Sequence, residues 1–208
     1  MKKIITSVII GVFLTFTLQA KNIAGKIILG NDTLDVIFQI PVKLFSGQPN
    51  FEKLQYKVRY LDSNKKKITL RPHEAKEIQF MHGAEQVRML SRFNTLGLGN
   101  IFSSNTHIFL RLEIDGPLKL FSYYYTQQSP GMYNASTGVV TGGYAYSVER
   151  YIMQKGSGEL KRPKNLSFKK DMAEYFSDCP TLVDKIQDKD FKKYDMEAIV
   201  SFYNKNCR

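Results

Sequence analysis

Two apolar-rich runs flank Asp115-Gly116-Pro117 in HIFLRLEIDGPLKLFSYYY, residues 107 to 125, which is the strongest hairpin signal in the chain. Ile108, Leu110, Leu112 and Ile114 alternate with Phe109, Arg111 and Glu113, the period of a half-buried strand. The returning run places Leu118 and Leu120 on one face and Lys119, Phe121, Tyr123 and Tyr125 on the other. A two-residue Asp-Gly turn would set Leu120 opposite Arg111 and Leu118 opposite Glu113. A slip of one residue sets Leu112 opposite Leu120 and Glu113 opposite Lys119, which unites the apolar positions and pairs opposite charges. Pro117 cannot take the positive φ that a three-residue bulged turn wants at its last position. The expectation is a longer or bulged connection in the slipped register.

Around this hairpin the remaining segments fall into order. GKIILGNDTLDVIFQIP, residues 25 to 41, reads as two β-rich runs punctuated by Gly30-Asn31-Asp32 and ended by Pro41. Gln55 to Leu61 and Lys67 to Leu70 form a second pair across Asp62-Ser63-Asn64, after a loop at 46 to 50. Ile78 and Phe80, then Val87 and Leu90, flank His82-Gly83-Ala84-Glu85 as a third hairpin. LGLGN at 96 to 100 reads as an exposed loop. So does the polar, glycine-rich and uncharged stretch from 127 to 143, which is long for a mere connection. Tyr144 to Gln154 resumes alternation, and Gly156-Ser157-Gly158 closes the β region.

After Pro163 the period changes from two to 3.6. Ser167 is the expected N-cap of a helix with Phe168, Met172, Tyr175 and Phe176 on one face. Cys179-Pro180 starts a second helix burying Leu182, Val183 and Ile186, and Asp195 caps a third with Met196, Ile199, Val200 and Tyr203. The expected class is α+β: an antiparallel twisted sheet or partly open β-barrel at 21–162, followed by a small helical subdomain at 163–208.

Residues 1–20 read as a signal peptide. Met1-Lys2-Lys3 is a basic n-region, and Ile4 to Phe16 is apolar but short for a bilayer span. Cleavage is expected after Ala20, and no cysteine lies near that site, which argues against a lipoprotein. A permanent N-terminal anchor is the rival reading. The formal net charge is +11, and loss of Lys2 and Lys3 leaves +9. Export argues against a nucleic-acid partner, and the basic residues are dispersed apart from Lys65-Lys66-Lys67 in a turn. Attraction to an anionic membrane surface or envelope polysaccharide is the other reading of that charge. The two cysteines, Cys179 and Cys207, are an even count in an oxidising compartment and are expected to form a disulfide.

Three stretches carry a resemblance: GKIILGNDTLDV, DGPLKLFSYYY, and DCPTLVDKIQ followed by YNKNC. They resemble a broad group of uncharacterised exported proteins of Bacteroidetes-type bacteria, in which an N-terminal hairpin leads into a β-rich body and a short helical tail. The resemblance implies export to the periplasm, the outer membrane or the medium. It implies no activity and no cofactor.

Chemical motifs are scarce. The three histidines include His73-Glu74 and His82 near Glu85, whose spacing matches no established metal-ligand pattern. There is no G-x-S-x-G elbow, and LGLGN and TGG lack the lysine of a phosphate loop. What remains is aromatic. Tyr123, Tyr124, Tyr125, Tyr133, Tyr144 and Tyr146 bracket the 127–143 stretch. Such rings either cover a sheet and pin a loop, or line a platform for a glycan, peptide or envelope partner. The binding residues on the second reading are Tyr123, Tyr125, Tyr133, Tyr144 and Tyr146. The function expected is a non-enzymatic exported binding module, with an envelope-associated hydrolase as the alternative.

Overall fold

The computed structural model describes residues 20–44, 46–99 and 107–207. The signal peptide expected at 1–20 therefore lies outside the described residues except for Ala20, which opens the first strand. The elements in order are β1 (Ala20–Leu29), β2 (Asp32–Pro41), α1 (Phe51–Leu54), β3 (Val58–Leu61), β4 (Lys67–Leu70), β5 (Glu77–His82), β6 (Glu85–Phe93), β7 (His107–Ile114) and β8 (Leu118–Ser129). Then follow β9 (Met132–Asn134), β10 (Val139–Thr141), β11 (Tyr144–Lys155), α2 (Phe168–Tyr175), α3 (Pro180–Gln187) and α4 (Met196–Asn206). The class is α+β. One antiparallel nine-stranded sheet runs β11-β8-β7-β6-β5-β1-β2-β3-β4 and does not close into a barrel. The three N-terminal and central hairpins stand where the turn residues put them. The return of β5 to pair with β1, Gly25 opposite Phe80, has no local sequence signal. Gly25 is needed at that crossing, since a Cβ there would lie 2.7 Å from the Phe38 ring and would also strike the Gln79 carbonyl.

The sheet is buried on both faces at its centre. Alternation along β8 turns Leu118, Leu120, Ser122 and Tyr124 to one face and Phe121, Tyr123 and Tyr125 to the other. On the first face Tyr124 joins Phe38, Ile78, Met89 and Phe109 under α1, while Leu118 and Leu120 pack with Met153 against α2, α3 and α4. On the second face Phe121 and Tyr123 pack with Leu90, Leu110 and Ile152 beneath Leu98 and Leu160. This double burial corrects the expected register of the central hairpin. A bulge is present at Glu113, but Leu112 faces Phe121 and Ile114 faces Leu120. The expectation assumed one wet face. In fact Ile114 is drawn to the helix side and Leu112 to the opposite core, and the extra residue of the bulge permits both.

Three other expectations are corrected. Residues 51 to 54 are helical, with the Asn50 side chain accepting from the Lys53 N–H at 3.1 Å, so β3 begins at Val58 rather than Gln55. Within 96 to 99 the loop is not simply exposed. Leu98 is 5% exposed and plugs the second core, held by Asn94, whose side chain bonds both its N–H and its carbonyl at 2.8 Å. Asn100 lies outside the described residues. The stretch from 127 to 143 is largely a paired arm. β8 and β11 continue outward to Ser129 and Tyr144, and β9 and β10 prolong them as a two-stranded tip. Its polar composition is turn chemistry. Asn134 accepts from Ser136, and Gly138 takes a φ of +67° to close the tip.

β8 is held by two side-chain amides in place of strand partners. Its ladder with β7 stops at Arg111 opposite Ser122, and the strands then part. Gln55, 0% exposed, fills the gap. Its carbonyl accepts from the Phe109 N–H at 3.0 Å, and its side chain accepts from the Tyr124 N–H at 2.6 Å and donates to the Tyr124 carbonyl at 2.8 Å. At the start of the strand Asn204 of α4 does the same to Leu118, with both bonds at 2.8 Å. Gly116 lies against Asn204, where a Cβ would come within 2.6 Å of the amide nitrogen. The motifs DGPLKL and YNKNC thus meet in space.

The helical part is tied to β11 by Lys155 and closed by a disulfide between Cys179 and Cys207, whose Cα atoms are 5.4 Å apart. The Lys155 ammonium donates to the Tyr175 carbonyl and to Asp178 Oδ1, each at 2.6 Å. It also lies 4.8 Å from the Tyr175 ring centre and 5.0 Å from that of Tyr203. Replacing Lys155 with methionine keeps the apolar stem but removes those bonds and the cation–π contacts. A loss of about 2–3 kcal/mol is expected, measured as a lower urea midpoint at unchanged slope.

Candidate functional site: a tyrosine strip and its projecting arm

The β8–β11 register sets Tyr123 opposite Arg150, Tyr125 opposite Val148, Gln127 opposite Tyr146 and Ser129 opposite Tyr144. All of these share one face. Tyr123 and Tyr125 stack with ring centres 5.7 Å apart, and Tyr144 and Tyr146 stand 5.7 Å apart further out. Arg150 donates to the Tyr125 hydroxyl at 3.0 Å and lies beside its ring. Four of the five expected binding residues therefore form one strip. The fifth, Tyr133, lies beyond it on β9.

Exposure rises along the strip. Tyr123 is 7% exposed, Tyr146 40%, and Tyr144 and Tyr133 both 65%. Tyr123 belongs to the core: its hydroxyl meets that of Tyr56 at 3.4 Å, and burial pushes its pKa well above the usual phenol range. Tyr125 is half-buried and forms the root of the strip. Tyr124 points the other way and stacks on Phe51 at 5.1 Å. Tyr144, Tyr146 and Tyr133 are the accessible rings.

Sequence reasoning missed the tip. Met132, Val139 and Val140 are 80%, 51% and 63% exposed, on a stretch from 127 to 148 that carries no charged residue. An alternation of Met, Tyr and Val flanking a turn signal at Asn134–Gly138 was available as a clue, but the glycines masked it.

A polar cluster occupies the opposite face, between α1 and α4. Arg111 contacts Glu85 at 2.5 Å and Glu113 at 3.3 Å, and its guanidinium lies 4.8 Å from the Phe51 ring centre. Ser122 and Tyr124 donate their hydroxyls to Glu149 Oε1 at 2.5 and 2.8 Å. Burial pushes the Glu113 carboxyl up, and the charge of Arg111 only partly offsets it. Apart from Glu113, the polar atoms here are answered within the protein.

The histidine pairs do not converge. His82 Nε2 lies 2.7 Å from Gln48 Oε1, Glu74 accepts from the Arg71 N–H, and Glu85 is engaged by Arg111. Among the described residues no group of three or more His, Cys, Asp or Glu is placed to hold a metal ion. A cavity of about 840 Å³ over β1, β2, β3 and β5 is lined by Leu34, Val36, Tyr60 and Phe80, with Lys26, Asp35 and Asp62 also facing it. Among the described residues no helix is long and apolar enough to cross a membrane. The chain matches no protein-family model, no curated protein and no solved structure.

Proposed function

We propose that the chain is a non-enzymatic binding module, exported to the cell envelope by its leader, that engages an envelope protein through the arm and the outer tyrosines of the strip. The observation that carries this reading is the arm itself. It is uncharged, regularly paired and studded with exposed Met132, Tyr133, Val139, Val140, Tyr144 and Tyr146, in a chain whose composition is 24% charged. Exposed apolar side chains on a rigid, projecting support favour a protein partner over solvent. Rings alone would suit a glycan, but the aliphatic tip does not.

A photo-cross-linking residue at Tyr133, and separately at Tyr144, tests this in living cells. The expected result is a protein adduct of the same mass from both positions, other than any adduct of the chain with itself, and none from the same residue at Lys67 on β4. Adducts absent from the arm, or equal at Lys67, contradict the reading. Export predicts an N-terminus near Lys21 in the same material, and an intact Met1 on membrane-bound protein contradicts it.

One observation favours a hydrolase as second reading: the raised Glu113 carboxyl close to Glu149. Two neighbouring carboxyl groups in different environments are the arrangement from which general acid–base catalysis is built. On that reading Glu113→Gln abolishes turnover of an envelope polymer. On the binding reading it leaves the adducts unchanged.

A further inference from the structure

The sheet ends in two edges that are treated differently. β4 is four residues long and opens on Lys65, Lys66 and Lys67, the usual defence of an exposed edge. β11 is the other edge. It runs twelve residues, without proline or lysine until Lys155. Its inner end is covered, because Met153 exchanges both backbone hydrogen bonds with Lys161 at 2.8 Å. Hydrogen-bonding direction alternates along an antiparallel strand. If Met153 faces outward, so do the N–H and C=O groups of Tyr151, Glu149, Ser147 and Ala145. None of these four has an outer backbone partner among the described residues.

From this edge we propose that a second copy of the chain pairs with β11, antiparallel, about a two-fold axis at Ser147, giving one sheet continuous across both copies. A two-fold axis perpendicular to the sheet keeps each face on its own side, so facing residues must have the same parity. Centred on Ser147, Tyr144 of one copy lies opposite Arg150 of the other, Tyr146 opposite Val148, and Ala145 opposite Glu149. The first is a cation–π pair and the second an aromatic–β-branched pair, each made twice. Centring on Glu149 or Arg150 would set like charges face to face. Centring on Val148 would make the two Glu149 side chains diagonal neighbours, whereas the Ser147 register holds them about 13 Å apart along the strands.

The outer side of Val148–Tyr151 also opens on a groove bounded by Arg162, Asn165, Lys193 and Tyr194. In the Ser147 register the uncharged arm of the other copy runs toward that groove, where no acidic side chain of the arm is required to meet the two cations. Strand pairing by itself covers less area than a stable dimer needs, and the arms enlarge it. The pairing joins the tyrosine strips of the two copies on a common face, and it does not depend on what the strip binds.

The test uses protein purified after expression of the full chain, with mass measured by light scattering. The wild-type protein is expected at twice the monomer mass at micromolar concentration. Ser147→Pro removes an outward N–H without touching the ladder to β8, so it should leave thermal stability intact and weaken dimerisation by at least about tenfold. Ser147→Cys should form an intermolecular disulfide on mild oxidation, because facing residues of a hydrogen-bonded pair have Cα atoms about 5.5 Å apart. Ala145→Cys alone should not cross-link, while Ala145→Cys combined with Glu149→Cys should. A wild-type monomer overturns the proposal. So does a dimer untouched by Ser147→Pro, and so does a dimer in which Ser147→Cys fails to cross-link while Ala145→Cys succeeds. Loss of the dimer in Ser147→Pro with arm adducts retained would support this pairing independently of the binding reading.

Discussion

Replacing Gln55 with leucine is expected to destabilise the protein by about 2–5 kcal/mol, because two buried backbone groups of Tyr124 lose their partners together. The amide of Gln55 is 0% exposed and bonds both the N–H and the carbonyl of that residue. Leucine fills the volume but answers neither group, and the β7 strand is already too far away to substitute. Gln55→Glu should also fail, since a carboxylate accepts from the N–H but faces the carbonyl with no donor and carries a buried charge. Chemical denaturation reads both. On a total of some 5–15 kcal/mol for a domain, the loss is large enough to shift the midpoint well outside error. A change under about 1 kcal/mol in the leucine variant would mean that β7 and β8 re-pair across the gap, and that Gln55 is not their wedge.

The second large effect belongs to the disulfide. The Cys179–Cys207 bond closes a separation of 28 residues that holds α3 and α4. In the chain-entropy account a loop of that size contributes about 3–4 kcal/mol, so the double variant Cys179→Ser, Cys207→Ser should melt roughly 6–16 °C lower. The loss should not be spread evenly. Asn204 stands three residues before Cys207 and clamps Leu118, so hydrogen exchange at the Leu118 amide should accelerate with that of α4. Exchange at Ile78 and Phe80, in the first core, should change far less. Uniform acceleration would show that the helices and the sheet unfold as a single unit.

The disulfide and the Gln55 clamp fall on opposite sides of what the sequence shows. The hairpins at Gly30-Asn31-Asp32 and at His82–Glu85 were legible because turn residues and alternation sit within a few positions of each other. The helices were legible for the same reason: Met196, Ile199, Val200 and Tyr203 recur at helical spacing and are all buried. The cysteine pair followed from its even count. By contrast, Gln55 meets Tyr124 from 69 positions away, and Asn204 meets Leu118 from 86. An amide that stands in for a strand leaves no periodic trace, so both clamps were invisible, as was the return of β5 to β1. The register at Leu112 and Phe121 was misread for another reason. Alternation says which residues share a face, but not that both faces are buried.

The candidate site was half legible. Tyr123, Tyr125, Tyr144 and Tyr146 do share a face, and strand alternation required it once β8 and β11 were known to pair. Burial divides them, however, and composition could not say so. Tyr123 serves the core, and the accessible rings are Tyr144, Tyr146 and Tyr133. The glycines between 131 and 143 read as a loop, whereas they are the corners of a paired arm.

The direct test of this account is the binding of the purified protein to isolated cell envelope, wild type against the triple variant Tyr133→Ser, Tyr144→Ser, Tyr146→Ser. The three side chains are exposed and lie outside every core cluster, so thermal stability should be unchanged. Binding should weaken by more than about tenfold if these rings are the anchors of the interface. Equal binding by the two proteins, with both folded, would contradict the assignment of function to the arm.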